Sequence, residues 1–254
     1  MDYRVVIPVT NAPELVAQKL KDVGDLTKLI MVCNLDIPEV RALCQQAHAG
    51  GAEVYDCPYN LGVAASWNLG IRRTMGQGCD LALVMSVSAV LDKPLAEMLA
   101  FIEQHEAEQS HSIYLFRNLH CFGLTRLGVE MGGYFDENFW PAYHEDADYF
   151  RRSGFNGVGE KRVLAEGQFC HSYAASVNLR EPRLLRLYQH NAHRMAVYLQ
   201  TKWGGAGLNA RFNRPFDNPA LGVNDWSIRE PFNNLLVGDP QWRLPAGEPK
   251  RWGS

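Results

Sequence analysis

Through its first half the chain alternates short β-branched runs with longer amphipathic segments, the strand-like run coming first in each pair. That order predicts an α/β fold on a mostly parallel sheet, because parallel neighbours need a long crossover between them and helices supply it. Strands are expected over Arg4 to Val9, Lys28 to Cys33, Glu53 to Cys57 and Leu81 to Val87. Helices are expected over Pro13 to Val23, Pro38 to Ala49, Val63 to Met75 and Pro94 to Glu108. Ser112 to Arg117 and Leu124 to Met131 add strand-like or mixed material. The acidic stretch after His144 reads as a helix stopped by Gly154, with a short strand over Arg162 to Ala165 beyond it.

The character then changes. Glu181 to Trp203 carries Leu184, Leu187, Tyr188, Met195, Tyr198 and Leu199 at helical spacing. A Gly-, Asn- and Pro-rich remainder follows, in which Phe212 to Trp252 holds six Phe or Trp residues, as expected of loop that wraps a core. The expected organisation is therefore a binding and catalytic domain over residues 1–175 and a helical, loop-rich extension over 176–254, part of the same globule.

Bulk properties narrow the function classes. A net charge of -3 on 254 residues argues against a protein that coats nucleic acid through overall charge, although a local basic patch is compatible with it. The six cysteines include no CxxC pair, so neither a zinc knuckle nor a disulfide framework is suggested. The opening Met1-Asp2-Tyr3-Arg4-Val5-Val6 lacks the basic and apolar regions of a leader, and no apolar run reaches spanning length. A soluble cytoplasmic protein without a membrane span is expected.

In open α/β sheets ligands bind at the carboxyl ends of the strands, so the residues just after each strand matter most. Pro8-Val9-Thr10-Asn11 and Asn34-Leu35-Asp36 place polar atoms there, where a nucleotide base could sit. A small-residue turn, Asn60-Leu61-Gly62-Val63-Ala64-Ala65-Ser66-Trp67-Asn68-Leu69-Gly70-Ile71, leads into a helix whose N-terminus could face an anion. Further on, Gly132-Gly133-Tyr134-Phe135-Asp136-Glu137-Asn138-Phe139-Trp140 runs into His144-Glu145-Asp146-Ala147-Asp148, three carboxylates at a helix start.

This order of motifs resembles family 2 glycosyltransferases of the GT-A fold, over about residues 4 to 172. The resemblance implies a Rossmann-like, mostly parallel sheet flanked by helices and a nucleotide-diphospho-sugar donor, UDP-linked before dTDP-linked. It also implies an inverting displacement at the anomeric carbon. Asp146 falls on the Asp of the family's Glu-Asp signature and would be the general base, with Glu145 as its neighbour positioning the acceptor or holding the loop. Pro8, Thr10, Asn34, Asp36, Asn60, Gly62, Asn68, Ser86 and Ser88 are the expected nucleotide-sugar contacts. Trp140 and Tyr143 are candidates for stacking on a sugar ring. Asp148 is expected to pair with Arg152 one helical turn on, stabilising the helix without touching substrate.

The chain departs from the family where the fourth strand ends. Ser86-Val87-Ser88 stands in place of the metal-binding Asp-x-Asp, and neutral hydroxyls are poor ligands for a hard cation. Three expectations follow. The leaving diphosphate is stabilised by helix N-termini and cations drawn from His171, Arg151, Arg152, Lys161 and Arg162; or a divalent metal, Mn or Mg, is held by the diphosphate, His171 and a carboxylate; or the protein binds without transferring. No organic cofactor is expected. The acceptor is open between a glycan and a hydroxylated DNA base of the phage type, the latter because Arg180, Arg183, Arg186, His190, His193 and Arg194 make one helix basic, with Lys202 closing it.

Overall fold

A computed structural model describes residues 1–34, 37–108, 111–157, 160–162, 169–172, 182–205, 209–224 and 249–253. In the first half, β1 (Tyr3–Val9), β2 (Leu29–Cys33), β3 (Glu53–Asp56) and β4 (Leu81–Met85) alternate with α1 (Pro13–Val23), α2 (Pro38–Ala49) and α3 (Val63–Gly76). β5 (Ala89–Leu91) and α4 (Leu95–Glu108) follow, then β6 (Ile113–Leu115), β7 (Cys121–Thr125) and α5 (Arg126–Gly132). The last elements are α6 (Glu145–Phe155), β8 (Glu160–Arg162), β9 (Cys170–Ser172), α7 (Pro182–Trp203) and β10 (Lys250–Arg251).

Among the described residues eight strands form one sheet in the order β10-β3-β2-β1-β4-β7-β6-β8, with β5 and β9 in a separate antiparallel pair. β1 pairs in parallel with both β2 and β4, and β2 in parallel with β3, whereas β7 runs antiparallel to β4. The central strands are apolar on both faces, and β2 and β4 are buried at every position, because helices cover the sheet on both sides. Val5, Ile7, Met31 and Leu83 belong to one cluster and Val6, Ile30, Ala82 and Val84 to the other, so alternate residues serve opposite layers. Gly70 lets α3 lie close on β1: a Cβ there would come within 2.9 Å of Val6 Cγ2.

Two expectations shift. Helix α6 runs through Gly154 to Phe155, and the left-handed backbone comes at Gly157, since a helical glycine weakens a helix by only about 1 kcal/mol without ending it. The mixed stretch near Leu124 divides at Thr125, which ends β7 and caps α5 by accepting a hydrogen bond from Gly128 N–H at 3.1 Å. Of the C-terminal stretch, Phe212 and Phe216 lie against α7 and its following turn, and β10 adds an antiparallel edge to β3 with Trp252 N–H donating to Val54 O at 2.9 Å.

One buried charge cluster ties α7 to the segment carrying the acidic motif. Lys202 Nζ lies 2.9 Å from Asp136 Oδ2 and 2.5 Å from Asp148 Oδ1, all three side chains at zero exposure. The expected Asp148–Arg152 pair is present, Arg152 Nε donating at 2.9 Å, but it too is fully buried. Trp203 Nε1 donates to Asp148 at 2.9 Å and Tyr198 O–H to Asp136 at 2.7 Å. Burial raises Asp136, with Lys202 opposing; burial acts upward on Asp148 too, but Lys202 and Arg152 outweigh it and hold the carboxyl below its usual value. Two acids and two bases thus balance in a dry site, where removing one partner strands the rest. Lys202→Met should lower stability by about 3–5 kcal/mol in urea unfolding, and adding Asp136→Asn should recover part of that loss.

Candidate functional site

The strand order places β2 and β3 on one side of β1 and β4 on the other, so the connections diverge between the carboxyl ends of β1 and β4. Such a switch point opens a crevice for ligands. A small pocket of about 70 Å³ lies here, lined by Pro8, Thr10, Asn34, Asn60, Gly62 and Ser86 among others. It shares Val63, Trp67, Ser86, Val87 and Tyr188 with a larger cleft of about 300 Å³, whose lining adds Ser88, His120, Tyr143, Glu145 and Asp146. Most of the residues singled out in the sequence therefore converge on one continuous depression. Asp36 lies outside the described residues.

The pocket wall is rigidly built. Asn34, 2% exposed, accepts from Leu61 N–H at 2.9 Å and donates to Ser66 Oγ at 2.9 Å, fastening the end of β2 to the turn before α3. Gly62 has φ +82°, and a Cβ there would lie 2.8 Å from both Pro141 O and Trp140 Cδ1. Its smallness thus seats the Trp140-Pro141 segment, which accepts a bond from Val63 N–H at 2.8 Å. Gly62 thus both lines the pocket and seats that segment.

Two expected contacts stand apart from the depression. Asn68 is fully buried, donating to Phe135 O at 2.8 Å and accepting from Phe135 N–H at 2.9 Å, so its amide clamps the aromatic loop to α3. Trp140 donates its indole N–H to Asn60 O at 2.8 Å and packs on Gly62 instead of offering a face to the cleft. Tyr143 does line the cleft, 43% exposed, edge-on to Tyr188 at 5.6 Å.

Helical geometry separates the three carboxylates. Tyr143 and His144 adopt left-handed φ of 79° and 71°, turning the chain into α6. Glu145, Asp148, Tyr149 and Arg152 then follow at three- and four-residue spacing on the buried face. Asp146, about 100° around the helix, faces the cleft exposed, its Oδ1 accepting from Ala147 N–H at 2.7 Å. Glu145 also reaches the cleft but is only 7% exposed, and its Oε2 has no hydrogen-bond partner among the described residues. Burial, reinforced by the neighbouring Asp146 charge, pushes the Glu145 carboxyl up to about 8. At neutral pH it holds its proton beside an open carboxylate.

Across the cleft, Ser86 Oγ and Ser88 Oγ lie 2.9 Å apart, and Ser88 Oγ is 3.5 Å from His120 Nδ1. Ser86 N–H donates to His120 O at 2.8 Å, fixing the turn after β4 to the turn between β6 and β7. His120 escaped the sequence reading because β7 begins at Cys121, earlier than expected, leaving Asn118-Leu119-His120 in an unassigned stretch. Tyr188 was read only as part of an apolar helical face.

Arg151, Arg152 and His171 are engaged elsewhere. Arg152 is buried, donating to Asp148, Gly132 O and Tyr134 O. Arg151 donates to Ala210 O and Phe212 O and lies over the Trp203 ring. Lys161 and Arg162 belong to β8, at the sheet edge three strands from β4, and their side chains lie outside the description. His171 pairs with Asp92 at 2.7 Å on the small β5–β9 sheet and does not line the cleft. Among the described residues no three His, Cys, Asp or Glu side chains converge as a metal site. Two mutually bonded hydroxyls and an imidazole do not suit a hard divalent cation.

No family model matches the chain. A galactofuranosyl glycosyltransferase of Leishmania donovani is 41% identical over 59 residues, 23% of this chain and 13% of that protein's length. Among solved structures, a Drosophila β1,4-galactosyltransferase 7 mutant in complex with manganese, UDP-Gal and xylobiose is similar at a TM-score of 0.45 and 12% identity, over 70% of this chain and 73% of that one. A cytidylyltransferase from Leptospira borgpetersenii is similar at 0.42 and 9%, over 77% and 97%. No helix among the described residues is long and apolar enough to cross a membrane.

The raised Glu145 carboxyl carries a pH signature. Its folded value lies above its ordinary 4.5, so between about 4.5 and about 8 the folded state holds a proton that the unfolded chain releases. Stability from this group therefore falls as pH rises through that window. Glu145→Gln should flatten this part of the melting temperature against pH and be the more stable protein, relative to wild type, above pH 8.

Proposed function

We propose that the protein is a glycosyltransferase of the GT-A type that moves a sugar from a nucleotide-diphospho-sugar, UDP-linked for preference, to a hydroxyl acceptor with inversion. The observation that carries this reading is an exposed carboxylate, Asp146, on the wall of a cleft at the β1/β4 switch point, continuous with a pocket of polar strand-end residues. The galactofuranosyl glycosyltransferase relative adds a sequence likeness of the same class.

In this reading the nucleotide enters near Pro8, Thr10, Asn34 and Asn60, and the sugar lies toward Tyr143 and Asp146. The acceptor oxygen attacks the anomeric carbon and forms the new C–O bond. Its proton passes to Asp146, and the electron pair of the broken C–O bond leaves on the diphosphate. Glu145, neutral and buried behind Asp146, keeps a second negative charge out of the site, so Asp146 works as a single base.

The acceptor we favour is a glycan. Of the basic positions on α7, Arg186, His190 and His193 are exposed, but Lys202 is consumed in the buried cluster, which thins the stripe that would follow a DNA backbone. Duplex binding that falls steeply with salt would favour the DNA acceptor instead. Asp146→Asn should leave the unfolding midpoint and UDP affinity near wild type while lowering turnover by about 100-fold or more, measured as UDP release from a panel of UDP-sugars. A folded Asn variant with full turnover would overturn the assignment of the base.

A further inference from the structure

The cleft presents an electrostatic problem. A diphosphate leaving group carries concentrated negative charge, and the wall already holds the Asp146 carboxylate, with Glu145 neutral beside it. Among the described residues lining the cleft and its adjoining pocket there is no Lys or Arg, and one base, His120. Its ring is placed by structure: Nδ1 lies 3.5 Å from Ser88 Oγ, which lies 2.9 Å from Ser86 Oγ at the end of β4. The turn itself is held by Ser86 N–H on His120 O at 2.8 Å. Nε2 is left without a partner among the described residues.

We propose that His120 is the cation of the leaving-group site: its imidazole takes up a proton from solvent as the diphosphate arrives and, with the Ser86 and Ser88 hydroxyls, holds the phosphate oxygens without a divalent metal. This rests on the nucleotide-diphospho-sugar reading above and supplies a group that reading lacks. Desolvation by the cleft wall first and the Arg117 charge second keep the imidazole below its usual value even though the residue is exposed, with Asp146 pulling the other way. Arg117 from its own turn and Asp146 from α6 act on it, and Glu145 from α6, Tyr143 before that helix and Tyr188 from α7 line the same cleft. Arg117 donates to Ser172 Oγ at 3.4 Å and does not line the cleft. A dianion arriving beside a neutral imidazole reverses the local balance and favours the charged form. The resulting N–H to phosphate bond is charge-assisted.

The test is calorimetric titration of the full chain with UDP and with uridine, in EDTA, in two buffers of different ionisation enthalpy. Wild type should take up protons on binding UDP but not uridine, and its UDP affinity should rise about threefold from pH 8 to pH 7. His120→Gln should lose the proton uptake and weaken UDP binding by about tenfold or more while leaving uridine binding unchanged, which a merely structural role would not do. Equal UDP affinity in the variant, or UDP binding that appears only after manganese is added and without proton uptake, overturns the inference while leaving the transferase reading standing. Failure of wild type to bind either uridine or UDP under all these conditions overturns the donor reading, and this inference with it.

Discussion

Lys202, enclosed between Asp136 and Asp148, is the contact on which the site's arrangement rests. Asp136 belongs to the aromatic loop, Asp148 to the first turn of α6 and Lys202 to the last turn of α7, so a single ammonium joins three segments that share no backbone hydrogen-bond ladder. Arg152 completes the neutral set and also binds Gly132 O and Tyr134 O, closing the loop's other end. Burying these charges is tolerable only because each is paired and hydrogen-bonded. The geometry is consequently strict, and it determines which way α6 is rolled. With Asp148 and Arg152 turned inward, Glu145 must sink and Asp146 must face the cleft.

That roll gives two adjacent carboxyls opposite chemistry. Asp146 stands in solvent at the cleft wall, while Glu145 keeps its proton up to about 8 because burial and its neighbour's charge both oppose ionisation. Two ionised carboxylates side by side would repel an anionic donor. On the function proposed above, one neutral and one charged group would leave a base with less repulsion, and the facing hydroxyls and imidazole would meet the phosphate.

Much of this was legible in the chain. The alternation of strand-like and helix-like segments located β1 to β4 and α1 to α4 within a few residues, because apolar periodicity reports local burial directly. The strand-end rule led to Pro8, Thr10, Asn34 and Asn60, all of which line the pocket. Asn68 and Trp140 were misread for a physical reason: an amide or an indole N–H suited to a ligand is equally suited to a loop backbone, and only the fold shows that Phe135 and Asn60 are within reach. Arg151 and Arg152 were misread likewise, since a guanidinium's partners here lie as much as 72 residues away.

By itself the sequence determined the α/β class, the parallel order of the leading strands and the presence of an acidic helix start, all properties set by neighbours within a turn or a strand. Tertiary structure alone decided which carboxyl is buried, that Lys202 is a core group and not part of a basic surface, and that His120 is the one base among the described residues lining the cleft. Charge state and accessibility depend on groups distant in sequence, such as Lys202 and Asp136, 66 residues apart. Folding, not local pattern, brings such groups to contact in a medium where their interaction is strong.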